Sequence, residues 1–171
     1  MNLLKKLMRR SKQSTQAWFE IRPSTIHGQG AFALQLIPKG TRIIEYTGER
    51  ITPQEANVRY NDEEMQLPHT FLFTVDKRTV IDGARHGNEA RYINHSCEPN
   101  CQTFIEDSRV FVEAIRDIPP GTELTYDYHL TRNGRYGAKW ERRYACHCGA
   151  PSCRGTLLAP PRRRAWWKKA R

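Results

Sequence analysis

Apolar and polar positions alternate with a period of two over much of this chain, which is the signature of half-buried strands. Residues 18–48 read as strands and turns throughout. Within them GAFALQLIPKGTRIIEYTGE alternates on both sides of a turn at Pro38, Lys39 and Gly40. TPQEANVRYNDEEM, residues 52–65, breaks the alternation and predicts a helix. Thr52 is its N-cap, Pro53 suits the first helical position, and Glu55 completes a capping box. TFLFTV and TVIDG predict a further strand pair. RVFVEAIRDIPPGTELTYDY predicts two more strands, split by a turn at Pro119, Pro120 and Gly121. TRNGRYGAKWERRY, residues 131–144, is polar and glycine-bearing and reads as a loop. Many short strands and few helices make the domain mainly β. IPKGTRIIEY and IPPGTELTYDY share a Pro-x-Gly-Thr turn leading into a strand that ends in tyrosine. A common turn type accounts for the likeness, and no internal repeat is inferred.

Composition adds limits. The 171 residues suffice for one domain with a core and short extensions, and 38% hydrophobic with 27% charged residues is ordinary for a globular protein. No apolar run is long enough to span a membrane, and the N-terminus lacks the apolar stretch of a secretory signal, although its acid-free basic character fits an organelle presequence as well. Charge is concentrated at the ends. Lys5, Lys6, Arg9, Arg10 and Lys12 give +5, and Arg162, Arg163, Arg164, Lys168, Lys169 and Arg171 give +6, against a net +10 for the whole chain. The intervening body is therefore close to neutral. Such ends attract phosphate polymers or acidic surfaces, and Trp166 and Trp167 add rings that stack on bases. The plain alternative is a pair of solvated tails.

Five cysteines, an odd number clustered late in the chain, do not form the pattern of a secreted disulfide scaffold. They fit a reducing compartment and a metal. Cys146, Cys148 and Cys153 lie on a tight Gly/Pro loop as C-x-C-x4-C, one ligand short of a tetrahedral structural zinc site. Cys97, Cys101 or a histidine can supply the fourth, although His147, between two ligands, would point away. The metal would then clasp two distant segments, and its binding energy would be folding energy for their junction. Gly28, Gly30 and Ala33 nominally fit a dinucleotide fingerprint, but the following LQLIPKGTRII carries a proline and strand alternation where that motif needs a helix. What remains is a backbone that another group can approach closely.

GQGAFA, EYTGE, GNEARYINHSCEPNC, ELTYDY and CHCGAPSCRG stand in this order and at this spacing in a chain that resembles the SET-domain protein lysine methyltransferases over residues 18–158. The resemblance implies a mainly β fold of small curved sheets with a pseudoknot, few short helices and a zinc-bound post-SET loop. Residues 1–17 would be a basic extension, 18–130 the SET domain, 131–159 the post-SET segment and 160–171 a basic tail, with no pre-SET region. It implies methyl transfer from S-adenosylmethionine to a lysine amine. Tyr128 falls at the family's catalytic tyrosine, Tyr46 at a second channel tyrosine, and Phe73 is assigned to the channel wall. Tyr126 falls where tyrosine rather than phenylalanine limits the number of methyls, which favours mono- or dimethylation. His27, Gly28, Gln29, Gly30, Asn94 and His95 are implied to hold the cofactor, with Arg91 and Tyr92 supporting that wall and Leu157 covering the adenine. Cys97 matches the fourth zinc ligand, beside Cys146, Cys148 and Cys153, leaving Cys101 as the odd thiol. The implied partner is a protein presenting a lysine in an extended tail, such as a histone or another DNA-associated protein. Nucleic acid would be contacted through the basic ends, no membrane is involved, and a monomer is expected. The location would be the nucleus or chromosome in a eukaryote. In a bacterium it would be the cytoplasm or nucleoid, or a host cell after secretion. The rival reading is a zinc-stabilised basic nucleic-acid or chromatin-binding module without catalysis.

Overall fold

Among the described residues, ten short strands are arranged in four small sheets. The computed structural model describes residues 17–61, 63–65, 71–131 and 137–160; the basic ends read from the sequence lie outside them. β1 (Phe19–Pro23) pairs antiparallel with β2 (Gln29–Ala33). β3 (Arg42–Tyr46), β9 (Arg109–Ala114) and β8 (Cys101–Glu106) form an antiparallel sheet in that spatial order. β4 (Glu49–Ile51), β6 (Val80–Asp82) and β5 (Leu72–Thr74) form a second one. β7 (Asn94–His95) and β10 (Thr125–Tyr126) are two residues each and run parallel, with Thr125 beside Asn94 and Tyr126 beside His95. No described helix is long and apolar enough to cross a membrane.

The two Pro-x-Gly-Thr turns explain how the sheets meet. Gly40 (φ +81°) and Gly121 (φ +77°) occupy the left-handed region that glycine tolerates without penalty. Immediately before the turns, Ile37 and Ile118 exchange both backbone hydrogen bonds at 2.9 Å. Their side chains are fully buried among Phe19, Ala31, Ile93, Val112, Leu124 and Tyr126. Burying each such aliphatic side chain stabilises the fold by about 1.5–3 kcal/mol. The strand that follows the second turn is thereby laid beside the segment carrying Asn94 and His95.

α1 (Pro53–Arg59) has the expected cap. The Thr52 hydroxyl accepts from the Glu55 N–H at 3.1 Å, and the Glu55 carboxylate accepts from the Thr52 N–H at 2.8 Å. The helix is shorter than its pattern predicts. Tyr60 leaves helical geometry, and the Asn61 side chain accepts from the Glu63 N–H at 3.1 Å, a local bond that competes with helix continuation. The expected loop over residues 131–144 is also corrected: Ala138–Arg143 forms α2. Trp140 and Tyr144, four positions apart, bury against Leu158, and this packing stabilises a segment of weak intrinsic periodicity. β8 was not anticipated, and the strand expected over ELTYDY shrinks to β10.

Candidate functional site

β7 and the chain after β10 place the chemistry-bearing residues together. The Asn94 side-chain amide reaches three acceptors, Glu123 Oε1 at 2.8 Å, the Gln29 carbonyl at 3.0 Å and the His27 carbonyl at 3.2 Å. It therefore joins the turn through Gly28 (φ +48°) to the interior. Open space surrounds the position a Gly28 side chain would take. At Gly30 a Cβ would lie 2.3 Å from Glu123 Oε1. The close approach that the Gly30 position permits is thus made by a protein carboxylate.

His95 is 2% exposed. Its Nδ1 accepts from the Tyr128 N–H at 3.1 Å and its Nε2 lies 3.4 Å from Cys97 Sγ. Burial, only partly opposed by the nearby Asp127 carboxylate, pushes its pKa down to about 4, so the ring is neutral in ordinary buffers. Its edge packs against Tyr128, with ring centroids 5.3 Å apart. Arg91 and Tyr92 lie in the 310 turn before β7. The Arg91 guanidinium donates to the Tyr92 hydroxyl at 2.9 Å and to the Gly83 carbonyl at 3.2 Å.

Four aromatic residues gather in two contacting pairs. Tyr126 and Tyr128 have centroids 5.0 Å apart, and Tyr46 and Phe73 have centroids 5.6 Å apart. The Tyr46 hydroxyl donates to the Phe71 carbonyl at 2.8 Å and the Tyr128 hydroxyl to the Ile93 carbonyl at 3.0 Å. Burial first, then the neighbouring Tyr128 and Tyr46 phenols, pushes the Tyr126 hydroxyl well above its ordinary value, and burial does the same at Tyr46 and Tyr128. All three are neutral donors rather than phenolates. Phe73 and Tyr128 open onto a groove of about 700 Å³ whose walls come from α1 (Pro53, Ala56, Asn57), β5 and Thr103, Phe104 and Ile105 of β8. Among the described residues β5 and β8 are terminal strands of their sheets, so two sheet edges line this groove.

Cys97, Cys146, Cys148 and Cys153 come together, their sulfurs all within 4.8 Å of one another. Cys97 Sγ lies 3.8 Å from Cys146 Sγ and 4.0 Å from Cys153 Sγ. Sulfurs placed ~2.3 Å from a tetrahedral zinc are ~3.8 Å apart, so the spacing fits a metal and no disulfide is present. Burial pushes the Cys97 and Cys146 thiols up. At Cys148 burial, which pushes the thiol up, is outweighed by the Cys97 and Ala150 N–H groups together with the Cys146 and Cys153 thiols, which bring it down to about 6. Four thiolates this close repel, and a divalent cation among them removes that repulsion. Exposed His147 is outside the cluster, as expected, and Cys101 is buried in the core, with its thiol 3.4 Å from Asn100 Oδ1. Leu157 packs with Leu130, Trp140, Tyr144 and Leu158, its carbonyl accepting from the Leu130 N–H.

Sequence reading assigned no role to Glu123, Asp127 or Arg154. Arg154, next to Cys153, forms a two-pronged ion pair with Asp127, next to Tyr128, at 2.5 and 2.9 Å. Arg154 N–H also donates to Cys97 Sγ at 3.4 Å. Their positions beside the tyrosine and the cysteine in ELTYDY and CHCGAPSCRG were the only available signal.

Residues 28–129 match the SET domain family model. The chain belongs to the SET domain family. Among curated proteins it is 41% identical over 139 residues to a histone-lysine N-methyltransferase, H3 lysine-4 specific, of Chaetomium globosum, covering 78% of this chain and 12% of that protein. It is 42% identical over 142 residues to the Saccharomyces cerevisiae protein of the same description, with the same coverage of each. It is 39% identical over 142 residues to the histone-lysine N-methyltransferase TRX1 of Oryza sativa subsp. japonica, covering 78% of this chain and 13% of that one. The chain thus spans about an eighth of the length of the curated relatives it matches.

Proposed function

We propose that this chain is an S-adenosylmethionine-dependent protein-lysine N-methyltransferase. The observation that carries this reading is the junction at Tyr128. On one side the aromatic groove of about 700 Å³ ends on its ring, and on the other its N–H and hydroxyl bind the segment of Asn94 and His95. A lysine nitrogen from the groove and a methyl donor on the Asn94 side would meet there.

S-adenosylmethionine supplies a methyl carbon activated by a sulfonium. The chain's part is to position, to exclude water and to favour the neutral amine. A free lysine titrates near ~10.4. The wall made by Phe73 and Tyr128, backed by their ring partners Tyr46 and Tyr126, would lower that value by disfavouring the ammonium. In the transfer a bond forms between the lysine nitrogen and the methyl carbon as the sulfur–carbon bond breaks, and the surplus N–H proton passes to solvent. Asn94, His95 and the turn of His27, Gly28, Gln29 and Gly30 would hold the donor, Arg91 and Tyr92 would back that wall, and Leu157 would cover the adenine. Crowding by the Tyr126 hydroxyl favours mono- and dimethylation. The two sheet edges suit an extended peptide tail, which satisfies unpaired backbone groups by adding a strand.

Zinc is the metal that four cysteines at this spacing fit best, so residues 131–159 would form a zinc-bound segment on the domain of residues 18–130. The relatives' names direct the substrate search first to lysine 4 of histone H3, and the location to chromatin. The basic ends would add nucleic-acid contact, and the chain would act as a monomer. The test is transfer of labelled methyl from S-adenosylmethionine to histone H3 and to mixed basic proteins, with mass spectrometry of the modified lysines. Lysine mono- and dimethylation abolished by Tyr128→Phe supports the reading. Nucleic-acid binding with no transfer to any protein replaces it with the binding-module reading.

A further inference from the structure

Glu123 is held as few surface carboxylates are. Its backbone is fixed by neighbours on both sides, with Ala33 N–H donating to Thr122 O at 2.9 Å and Leu124 N–H donating to Ala31 O at 2.7 Å. Its own carbonyl accepts from Asn100 Nδ2 at 2.8 Å. The carboxylate turns back towards residues 24–30. Ser24 Oγ stands 2.8 and 2.9 Å from its two oxygens and Asn94 Nδ2 stands 2.8 Å from Oε1. The Ser24 oxygen already accepts from the Ile26 N–H at 2.9 Å, so its single proton is directed to Glu123. Every partner of the carboxylate is a donor, which is the environment of an ionised acid. Gly30 leaves the space that Oε1 fills.

Two consequences follow. With the Asn94 NH2 group drawn to Glu123 and to the His27 and Gln29 carbonyls, its Oδ1 faces the other way, a carbonyl acceptor oriented by Glu123. In addition, a fixed negative charge stands in the wall on which a donor would rest. Its field reaches Tyr128, whose hydroxyl is pushed up by burial first, then by the Tyr46 phenol and the Glu123 charge. S-adenosylmethionine carries a net positive charge from its sulfonium. The product thioether, S-adenosylhomocysteine, has lost that charge.

We infer that Glu123 is a positioning and selectivity residue: it orients the Asn94 amide for the donor, and its charge makes the pocket prefer the cationic donor to the neutral product. The inference rests on the methyltransferase reading and adds a discrimination between substrate and product, which aids turnover by easing product release.

The experiment is calorimetry of S-adenosylmethionine and S-adenosylhomocysteine on the zinc-loaded chain, for the native protein, Glu123→Gln and Glu123→Asp. Gln keeps the size and one acceptor oxygen but removes the charge. Donor affinity should fall by about tenfold in Glu123→Gln while product affinity changes by less than about threefold. KM for the donor should rise more than kcat falls. Glu123→Asp, which retains the charge, should retain the preference, and it decides the matter if the Gln variant does not fold. Equal weakening of both ligands overturns the charge selectivity, no change in either overturns both roles of Glu123, and neither outcome touches the methyltransferase reading. A native protein that takes up neither ligand overturns that reading and this inference together.

Discussion

The body of sheets and the cysteine clasp are stabilised by different physics. The body holds a core with Ile37, Ile93, Val112, Ile118 and Leu124 essentially excluded from water, and its strands pair into four sheets. Among its described residues the C-terminal segment buries only Trp140, Tyr144 and Leu158 well, and it is joined to the body by a few specific links. These include the four-sulfur cluster through Cys97, the Asp127–Arg154 ion pair, the Glu98–Ser152 hydrogen bond at 2.8 Å, the Arg143–Met65 bond and the backbone bonds at Leu130. A core this small cannot order the segment alone, so the links decide whether it closes. Both sides of that junction carry candidate site residues, so under the proposed function closure would be coupled to methyl transfer.

Removing the metal tests the contrast most severely. A chelator should leave the body's far-UV circular dichroism and its core hydrogen-exchange protection nearly unchanged. It should open the C-terminal segment to protease between residues 131 and 160 and lower methyl transfer at least about 100-fold. Cooperative unfolding of the whole chain on chelation would show that the two regions are one unit.

Tyr128→Phe comes next. It removes the hydroxyl that donates to Ile93 O without opening a cavity. The expected loss is about 100-fold in kcat with donor affinity changed less than about threefold. The pH profile sharpens the same point. Tyr46, Tyr126 and Tyr128 all have raised pKa values, so none loses its proton below pH 10. Rate should rise by about tenfold per pH unit while the lysine is protonated, then level off with no alkaline fall up to that pH. An alkaline limb below pH 9 would contradict the assigned burial.

Arg154→Ala breaks one link and spares the sulfurs. Asp127, 16% exposed at its side chain, would lose its guanidinium partner and keep the His129 N–H and imidazole, a loss of about 1–3 kcal/mol. Donor and peptide KM should rise about tenfold while zinc content stays at one per chain. Arg154→Lys, which keeps charge but not the two-pronged geometry, should recover part of the loss. A full loss of zinc in Arg154→Ala would make the ion pair part of the metal site's stability rather than a separate strap.

How much could be read from the sequence follows the same division. Thr52, Pro53 and Glu55 identified the start of α1 because a capping box is local, and the cysteine spacing pointed to the late cysteine cluster because three of its members are close in sequence. The family's motifs led to the family that the comparisons show. Two kinds of feature were not legible. β7 and β10 are too short for periodicity, and α2 is stabilised by Trp140 and Tyr144 meeting Leu158, which no window of residues 131–144 contains. Glu123 acquires its role only when Ser24, Gly30 and Asn94 converge from distances of 29 to 99 residues in sequence. At Gly30 the sequence argued for close backbone approach by another group, and the structure shows a protein carboxylate, Glu123, filling that space.

The mildest change falls on the body's own edge. Thr52→Ala removes the acceptor for the Glu55 N–H and loosens the first turn of α1, at a cost of about 1 kcal/mol. That turn supplies Pro53 and Ala56 to the groove, whereas the metal cluster and the Asn94 wall share no element with it. Peptide KM should therefore rise about two- to threefold, with donor affinity, zinc content and kcat unchanged. If donor affinity fell in step with peptide affinity, the groove and the donor wall would be one cooperative unit. The division between a self-sufficient body and a linked clasp would then have to be redrawn to include α1 on the clasp's side.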